Sequence, residues 1–503
     1  MSRLEFKNLV AWSDDSLKRL GISNLIKSGV VKRFRSGLGG SHTVVTYPPL
    51  DSLKAISPER ILNQIKPVSD LNLYVHVAFC EFLCPFCHYD TEFSEIGSDE
   101  SPSMKSYFNA LLIEIEQWKE RLNASAVGSI YIGGGTPTAA STERLLEIIS
   151  RLKAFSFASP GFTFCVETSP QTTVSSGGAA KLQALVNAGV NRFSMGIQTF
   201  DDRLLRRTRG HSQNDALQAL DVVSRLVENI NIDLIQDLPG QTDEHIFEDL
   251  IQIDRFRPAQ VTWYVLRLQS ESSWFKRYAR SALEFPSTLE SVRRSLVIRE
   301  GMKQLGYIAM PGNRFLRETL YRDEFKEVRA GLKSTLLGMG VSAYSHGWGY
   351  MFRNSFSHGY VNGINDYVKR INENGFAIER GYELDETEFA ASAYVLGIRT
   401  RVDLPRATGP AANYLNAAAC LLEKLEKMKL VESDGLGSYS LSEAGSLFEE
   451  EICALFYSDA VKSELELESD SPAALFQIGH NQAFDSQAKR RAIDKASPYV
   501  TRS

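Results

Sequence analysis

Two hydrophobic periods take turns along the first half of the chain. Six short, largely apolar runs of strand character follow one another: LNLYVHVAF (71–79), GSIYIGGG (128–135), GFTFCVET (161–168), NRFSMGIQ (191–198), NINIDLIQ (229–236) and QVTWYVLRL (260–268). Amphipathic stretches lie between them, among them YFNALLIEIEQWKERL (107–122), TERLLEIISRLKAF (142–155) and GAAKLQALVNAG (178–189). Runs of the first kind fit buried strands, and the second kind repeats at helical spacing. A strand–helix repeat builds parallel strands joined by right-handed crossovers. Six such units predict an α/β fold, a partial (β/α)6 TIM-like barrel rather than a closed eight-fold one. In barrels of this kind chemistry gathers at the carboxyl ends of the strands.

The flanks read differently. Residues 1–69 look like an irregular, partly helical lead. The barrel and its extension are expected over 70–375, ending with a helical stretch and a glycine-rich patch, GLKSTLLGMGVSAYSHGWGY (331–350). Over 376–462 the spacing predicts a small helical or winged-helix-like domain. ETEFAASAYVLGIRT and NYLNAAACLLEKLEKMKL are helical by spacing, LVESDGLGSYSLSEAG reads as a hairpin or wing, and SLFEEEICALF as a last helix. Winged helices often bind nucleic acid, but this segment is not basic, so a structural or substrate-capping role is expected. Residues 463–503 form a polar tail.

Composition narrows the class. Of 503 residues, 43% are hydrophobic and 23% charged, which excludes disorder as the general state. Lys plus Arg total 56 against 61 Asp plus Glu, a formal charge of −5, so bulk charge does not hold nucleic acid here. No apolar run approaches the ~20 residues that cross a bilayer. The start, MSRLEFKNLVAWSDDSLKRL, makes a poor signal peptide. A cytoplasmic protein with reduced thiols, no membrane contact and no nucleic-acid partner is expected.

Six cysteines are too few for a disulfide framework. Their distribution matters more than their number. Cys80, Cys84 and Cys87 fall within eight residues, in FCEFLCPFCHYD, at the spacing C-x3-C-x2-C. Pro85 between them argues against a buried helix, and the segment follows the first strand, so it reads as a loop at a strand end. Structural zinc needs four protein ligands. No second C-x2-C exists, and His88 adjoins Cys87, an awkward place for a fourth ligand. Three thiolates on one short loop suit a four-iron cluster with one iron left open.

Other polar residues mark the remaining strand ends. GGGTP (133–137) ends the second strand, where glycines permit close backbone approach. It lacks the Lys and Ser/Thr of a nucleotide phosphate loop. Glu167 ends the third strand in CVETSP, and Gln198 the fourth, with Arg209 and His211 following in RTRGHS. Asp233 sits inside an otherwise apolar strand, where a carboxylate is costly unless paired or liganded. Arg209 is a candidate partner for it, or for a substrate carboxylate.

Together these residues resemble a known family. FCEFLCPFC, with Tyr74 and His76 ahead of it, is similar to the cluster motif of the radical SAM superfamily. GGGTP, ETSP, GVNRFSMGIQTFD, RGH and NIDLIQDLPGQT resemble its HemN-like branch over residues 70–350, and LSEAGSLFEEEI resembles that branch's carboxy-terminal segment. The branch includes oxygen-independent coproporphyrinogen III dehydrogenase, a heme chaperone, heme-degrading methyltransferases, and class C methyltransferases and cyclopropanases. The resemblance implies that Cys80, Cys84 and Cys87 hold a [4Fe–4S] cluster. A first S-adenosylmethionine (SAM) chelates the open iron, and one electron cleaves it to methionine and a 5′-deoxyadenosyl radical. Tyr74, Phe86, Gly134, Gly135, Thr136, Glu167 and Arg209 match positions around this first SAM. Gln198 and Asp233 match positions beside a second SAM in the coproporphyrinogen enzyme, a SAM whose methyl group the class C methyltransferases use, and carry the catalytic expectation. A one-electron donor such as flavodoxin or ferredoxin is implied.

Departures choose among the members. The coproporphyrinogen enzyme carries a further cysteine just after its third; here His88, Tyr89 and Asp90 follow Cys87, and none is cysteine. The chaperone's H-N-x-x-Y-W heme motif has only a divergent counterpart, RNSFSHGYVN (353–362), although His346 and His358 are candidate heme ligands. The expectation is therefore an enzyme that methylates or cyclopropanates an unsaturated small molecule. Tetrapyrrole chemistry or heme chaperoning is the alternative. Cys165, Cys420 and Cys453 are expected to hold no iron.

Overall fold

The computed structural model describes residues 3–27, 46–98, 101–123, 125–157, 162–268, 272–279, 285–318, 335–357, 362–403 and 408–465. His358 and most of the polar tail lie outside these residues.

The six expected strands are present, each trimmed at its ends: β1 (Leu71–Val77), β2 (Ala126–Gly134), β3 (Thr163–Thr168), β4 (Arg192–Gln198), β5 (Ile230–Gln236) and β6 (Gln260–Val265). They pair in parallel in that order. Between them run α1 (Pro102–Arg121), α2 (Thr142–Leu152), α3 (Gly178–Asn187), α4 (Asp202–Thr208), α5 (Gln213–Ser224) and α6 (Asp243–Phe256), with α7 (Thr288–Gln304) after β6. Alternation along each strand decides which face meets the helices. On β1, Leu71, Leu73, Val75 and Val77 join the main core with Phe108, Leu111, Ile115 and Trp118 of α1. The intervening Asn72, Tyr74 and His76 belong to the opposite, inward face. On β5, Ile230, Ile232 and Leu234 face the helices, while Asn231 and Asp233 face inward. The inner face is thus polar where the outer face is apolar.

The described part of the glycine-rich patch, from Thr335 on, proves to be largely sheet. β7 (Thr335–Met339) adds a seventh parallel strand against β1, and β8 (Tyr344–Gly347), β9 (Tyr350–Asn354) and β10 (Ile378–Glu383) continue it antiparallel. On the far side the strands Arg314–Leu316 and Ile308–Met310 extend β6. The strands form an open sheet, with no closure between the two edges in the pairing among the described residues.

Helix α8 (Gly363–Asn374) precedes β10 and packs on α1. The carboxy-terminal region holds α9 (Glu386–Gly397), α10 (Ala412–Lys427), a three-stranded sheet (Val402–Asp403, Val431–Ser433, Ser438–Leu441) and α11 (Glu449–Leu455). Helix, strand, helix and hairpin in that order form the winged-helix-like unit. Its core also takes in Leu17 and Ile22 from helices Arg3–Arg19 and Ile22–Lys27, and Val292 and Leu296 of α7. The lead segment therefore packs with the last domain, which the sequence pattern does not indicate. No helix among the described residues is long and apolar enough to cross a membrane.

Candidate functional site

The three clustered thiols lie just past the carboxyl end of β1. Phe79–Cys80 pairs in parallel with Glu92–Phe93, so residues 80–93 close into a loop fixed at its base. The Glu92 amide donates to Ala78 O at 2.8 Å and the Ser94 amide to Cys80 O at 2.8 Å. Within the loop the Cys87 amide donates to Cys84 O at 3.0 Å, and the two thiols are close enough to interact electrostatically. Across the mouth, the Trp274 amide donates to Pro85 O at 2.9 Å, and the Phe86 ring rests on Trp274 with centroids 5.8 Å apart.

Burial pushes the Cys80 thiol up to about 12 and the Cys87 thiol up to about 11, with repulsion from Cys84 adding to the second. Thiols this far above neutrality stay protonated until a cation binds them. No three His, Cys, Asp or Glu among the described residues converge on a single ion position. A lone zinc ion needs such convergence. A four-iron cluster takes one thiolate per iron and does not.

The three glycines of GGGTP stand where any Cβ would strike the thiol loop or the neighbouring strands, Gly133 against Glu167 and Tyr131 at 2.9 Å. Gly134 has φ +116°, and a Cβ there would lie 2.8 Å from the His76 ring. A Cβ on Gly135 would lie 2.4 Å from Phe79 O and 2.9 Å from Cys80 Sγ. The strand end is bolted to the thiol loop. The Gly135 amide donates to Val77 O at 2.8 Å, the Thr136 amide to Phe79 O at 2.7 Å, and Thr136 Oγ1 to Cys80 Sγ at 3.6 Å.

Glu167 accepts from Tyr131 Oη at 2.7 Å and from the Gly134 amide at 3.2 Å. Tyr131 reads as core in the sequence, and only the inward face of β2 shows its role. Its ring stacks on Tyr74 at 6.2 Å. Burial holds His76 down at about 4, so the ring is neutral at physiological pH. Its Nε2 faces Asp90 O at 3.2 Å, an acceptor only, so Nε2 carries the proton. Nδ1 then accepts from Tyr74 Oη at 3.1 Å, which orients the phenol.

Arg209 corrects one expectation. It caps the carboxyl end of α4, and Gly210 (φ +80°) tucks the following turn against Phe82 of the thiol loop. Its Nη1 donates to Cys84 Sγ at 3.2 Å rather than to Asp233. Burial opposes the guanidinium's charge, but Cys84, Glu81 and Cys80 together raise its pKa. The Asp233 carboxylate instead accepts from Asn231 Nδ2 at 2.9 Å and Ser194 Oγ at 3.4 Å. It is half-buried at the inner wall, so its cost is met by neutral donors.

Gln198 ends β4 at φ +74°. A Cβ on Gly196 would lie 2.8 Å from Gln198 Nε2 and 3.5 Å from Arg209 Nη2, so both side chains close over that glycine. Gly196 is registered opposite Asp233. The structure thus brings Gln198, Arg209 and Asp233 to one patch of wall, and Tyr74, Thr136, Glu167 and the glycines to the adjoining one.

The other candidates lie away from the thiol loop, Cys165 against the Tyr131 that aims Glu167. Cys165 is buried beside Tyr131 and Leu336 inside the barrel, Cys420 is exposed on α10 and Cys453 is buried on α11. His346 is fully buried on β8. His358 lies outside the described residues.

The thiol loop, the close-set glycines and the buried charges fit a [4Fe–4S] cluster with SAM on its open iron. Both oxygens of Glu81 and the Nε of Arg209 are buried without a hydrogen-bond partner among the described residues, as expected of groups that face a further charged body.

Residues 74–252 match the radical SAM superfamily. The heme chaperone HemW of Bacillus subtilis is 26% identical over 337 residues, covering 65% of this chain and 82% of that protein. Coproporphyrinogen III oxidase, anaerobic 1, of Cereibacter sphaeroides is 26% identical over 420 residues, covering 78% and 88%. The HemW of Buchnera aphidicola is 28% identical over 211 residues, and there the chain spans about half of the relative's length, 53%. Among solved structures, coproporphyrinogen III oxidase (HemN) from Escherichia coli shares the fold with a TM-score of 0.68 at 23% identity, over 82% of this chain and 96% of that one.

Proposed function

We propose, for a chain that belongs to the HemN-like branch of the radical SAM superfamily, that it cleaves SAM reductively and alkylates an unsaturated small molecule with carbon from a second SAM. A [4Fe–4S] cluster with SAM supplies one-electron chemistry that releases methionine and a 5′-deoxyadenosyl radical.

The chain's own residues do the rest. Cys80, Cys84 and Cys87 hold the cluster. Gly134, Gly135 and Thr136 let the amino-acid end of the first SAM approach the backbone, and Glu167, aimed by Tyr131, takes its polar groups. Arg209 balances negative charge on the thiolate side. Tyr74 and Phe86 wall the site, and the surrounding barrel excludes water that would quench a radical. Gln198 and Asp233 hold the second SAM.

One observation supports a second SAM: Gln198 and Asp233 share a patch of wall with Arg209, beside the first-SAM residues, an arrangement that the coproporphyrinogen enzyme's positions also imply. The absence of cysteine among His88, Tyr89 and Asp90 turns the reading away from porphyrinogen decarboxylation. The one-electron donor, such as flavodoxin or ferredoxin, approaches the thiol loop, where Leu83, Tyr89 and Phe93 are 54%, 44% and 62% exposed.

The test is incubation of cluster-reconstituted protein with reductant and methyl-labelled SAM. Deoxyadenosine together with S-adenosylhomocysteine is expected; loss of both with a full iron complement rejects the proposal. The relatives' names favour a second reading, heme chaperoning or porphyrinogen chemistry. Anaerobic complementation of a heme auxotroph, or a Soret band on adding heme that His346→Ala abolishes, would favour it.

A further inference from the structure

Helix α6 lies outside the barrel, yet one of its side chains points at the mouth-side turn after β4. Asp249 is fully buried on the apolar face of α6, beside Ile246, Leu250 and Ile253. A carboxyl group there is costly unless its hydrogen bonds require it. Its Oδ1 accepts from Thr199 Oγ1 at 3.0 Å and from the Phe200 amide at 2.7 Å. Burial, with Asp201 and Glu248 adding to it, pushes the carboxyl up to about 8, so it is mostly protonated at neutral pH. Oδ2 has no hydrogen-bond partner among the described residues.

The turn that Asp249 grips has two arms. On one side is Gln198, whose left-handed φ is uncommon for a residue with a side chain and needs support from its surroundings. On the other side Thr199 Oγ1 accepts from the Asp201 amide at 3.3 Å. The Asp201 carboxylate caps α4, accepting from the Arg203 and Leu204 amides at 3.0 and 2.9 Å. That helix ends at Arg209. A single buried carboxyl group therefore sits behind both Gln198 and Arg209.

We propose that Asp249 is a positioning residue that sets Gln198 and Arg209 in the mouth by holding the Thr199–Phe200 turn. This rests on the reading that Gln198 and Arg209 contact SAM.

The experiment uses cluster-reconstituted full-length protein, with equilibrium binding of SAM and hydrogen exchange at the Phe200 amide as readouts. Asp249→Ala should keep wild-type iron content, weaken SAM binding about tenfold and speed Phe200 exchange about tenfold or more, the scale of two lost hydrogen bonds. Asp249→Asn, whose carboxamide oxygen takes the place of Oδ1, should restore both to within about threefold. Asp249→Ala and Gln198→Ala together should lose less than the product of their separate losses.

The proposal is overturned if Asp249→Ala binds SAM like wild type while Gln198→Ala does not, or if Asn is as damaging as Ala. If Gln198→Ala and Arg209→Gln both leave SAM binding unchanged, the reading of the site falls and this inference with it. Should Asp249→Ala fail to fold, Thr199→Val removes one donor at constant volume. It should weaken SAM binding about threefold, and no change would overturn the proposal.

Discussion

The barrel mouth and the carboxy-terminal domain contain much the same groups, buried arginines beside carboxylates and thiols, in opposite states of completion. In the carboxy-terminal domain the groups are matched. Arg267, just past β6, pairs with Glu450 at 2.6 Å and Glu451 at 3.0 Å, and Arg399 with Glu449 at 2.5 Å. The Arg267 pairs join α11 to the barrel, and the Arg399 pair holds α11 to the end of α9. At the mouth Arg209 meets sulfur, and Glu81 keeps both oxygens buried without a hydrogen bond. Thiol burial alone does not tell the regions apart, because Cys453 and Cys80 are both pushed up to about 12. Company does. Cys453 lies near three carboxylates and one arginine, whereas Cys80 lies near a further thiol, Cys87, with Gly135, Thr136, Arg209 and a single carboxylate, Glu81. A closed charge network marks structure; an open one marks a place for a ligand.

The sharpest way to break this contrast is to remove thiols from each region in turn. Alanine at Cys80, Cys84 or Cys87 should remove essentially all cluster iron and all SAM cleavage. Alanine at Cys165, Cys420 or Cys453 should leave iron content unchanged. Equal iron loss in the second set, measured on purified reconstituted protein, would reveal another cluster.

Next in size is the matched network. Arg267→Met strands two largely buried carboxylates, 15% and 10% exposed, so unfolding free energy should fall by about 3–5 kcal/mol with the iron content kept. A drop below 1 kcal/mol would mean the network is more open to water than its geometry shows. At the mouth the balance should reverse: Arg209→Gln should lower SAM cleavage on the order of a hundredfold, with little loss of unfolding free energy.

The most gradual effect, spread over several pH units, concerns His211. Burial, with Arg209 adding to it, holds this imidazole down at about 3 against an ordinary 6.5. Between those values the unfolded chain takes up a proton that the folded chain refuses. Stability should therefore fall as pH drops from 6.5 toward 3, by up to about 1.4 kcal/mol per pH unit. His211→Asn should flatten that acid limb in chemical denaturation of the cluster-free protein, and an unchanged slope would show the imidazole is already charged in the fold.

Much of this arrangement is legible in the sequence because it is local. The six strands and their helices follow from apolar periodicity, and the three cysteines declare themselves by spacing. The winged-helix-like unit is equally local. What the sequence hides is non-local. β7 pairs with β1 across more than 250 residues, and its glycines blur the strand pattern. Asp233 and Arg209 are opposite charges in adjacent segments and look like a pair, yet the turn at Gly210 carries the guanidinium to the thiol loop instead. Tyr131 and Asp249 are missed for opposite reasons. Tyr131 passes for core on a buried strand. Asp249 passes for the wet side of an amphipathic helix, although its neighbours Leu250 and Ile253 share its buried face.

The most direct test of an open, cluster-holding mouth is the EPR spectrum of dithionite-reduced, reconstituted protein before and after SAM is added. A reduced four-iron signal that changes on SAM binding, and is absent from the Cys84→Ala variant, is the expected result. A reduced signal that SAM does not alter, or one that survives in Cys84→Ala, would contradict the site.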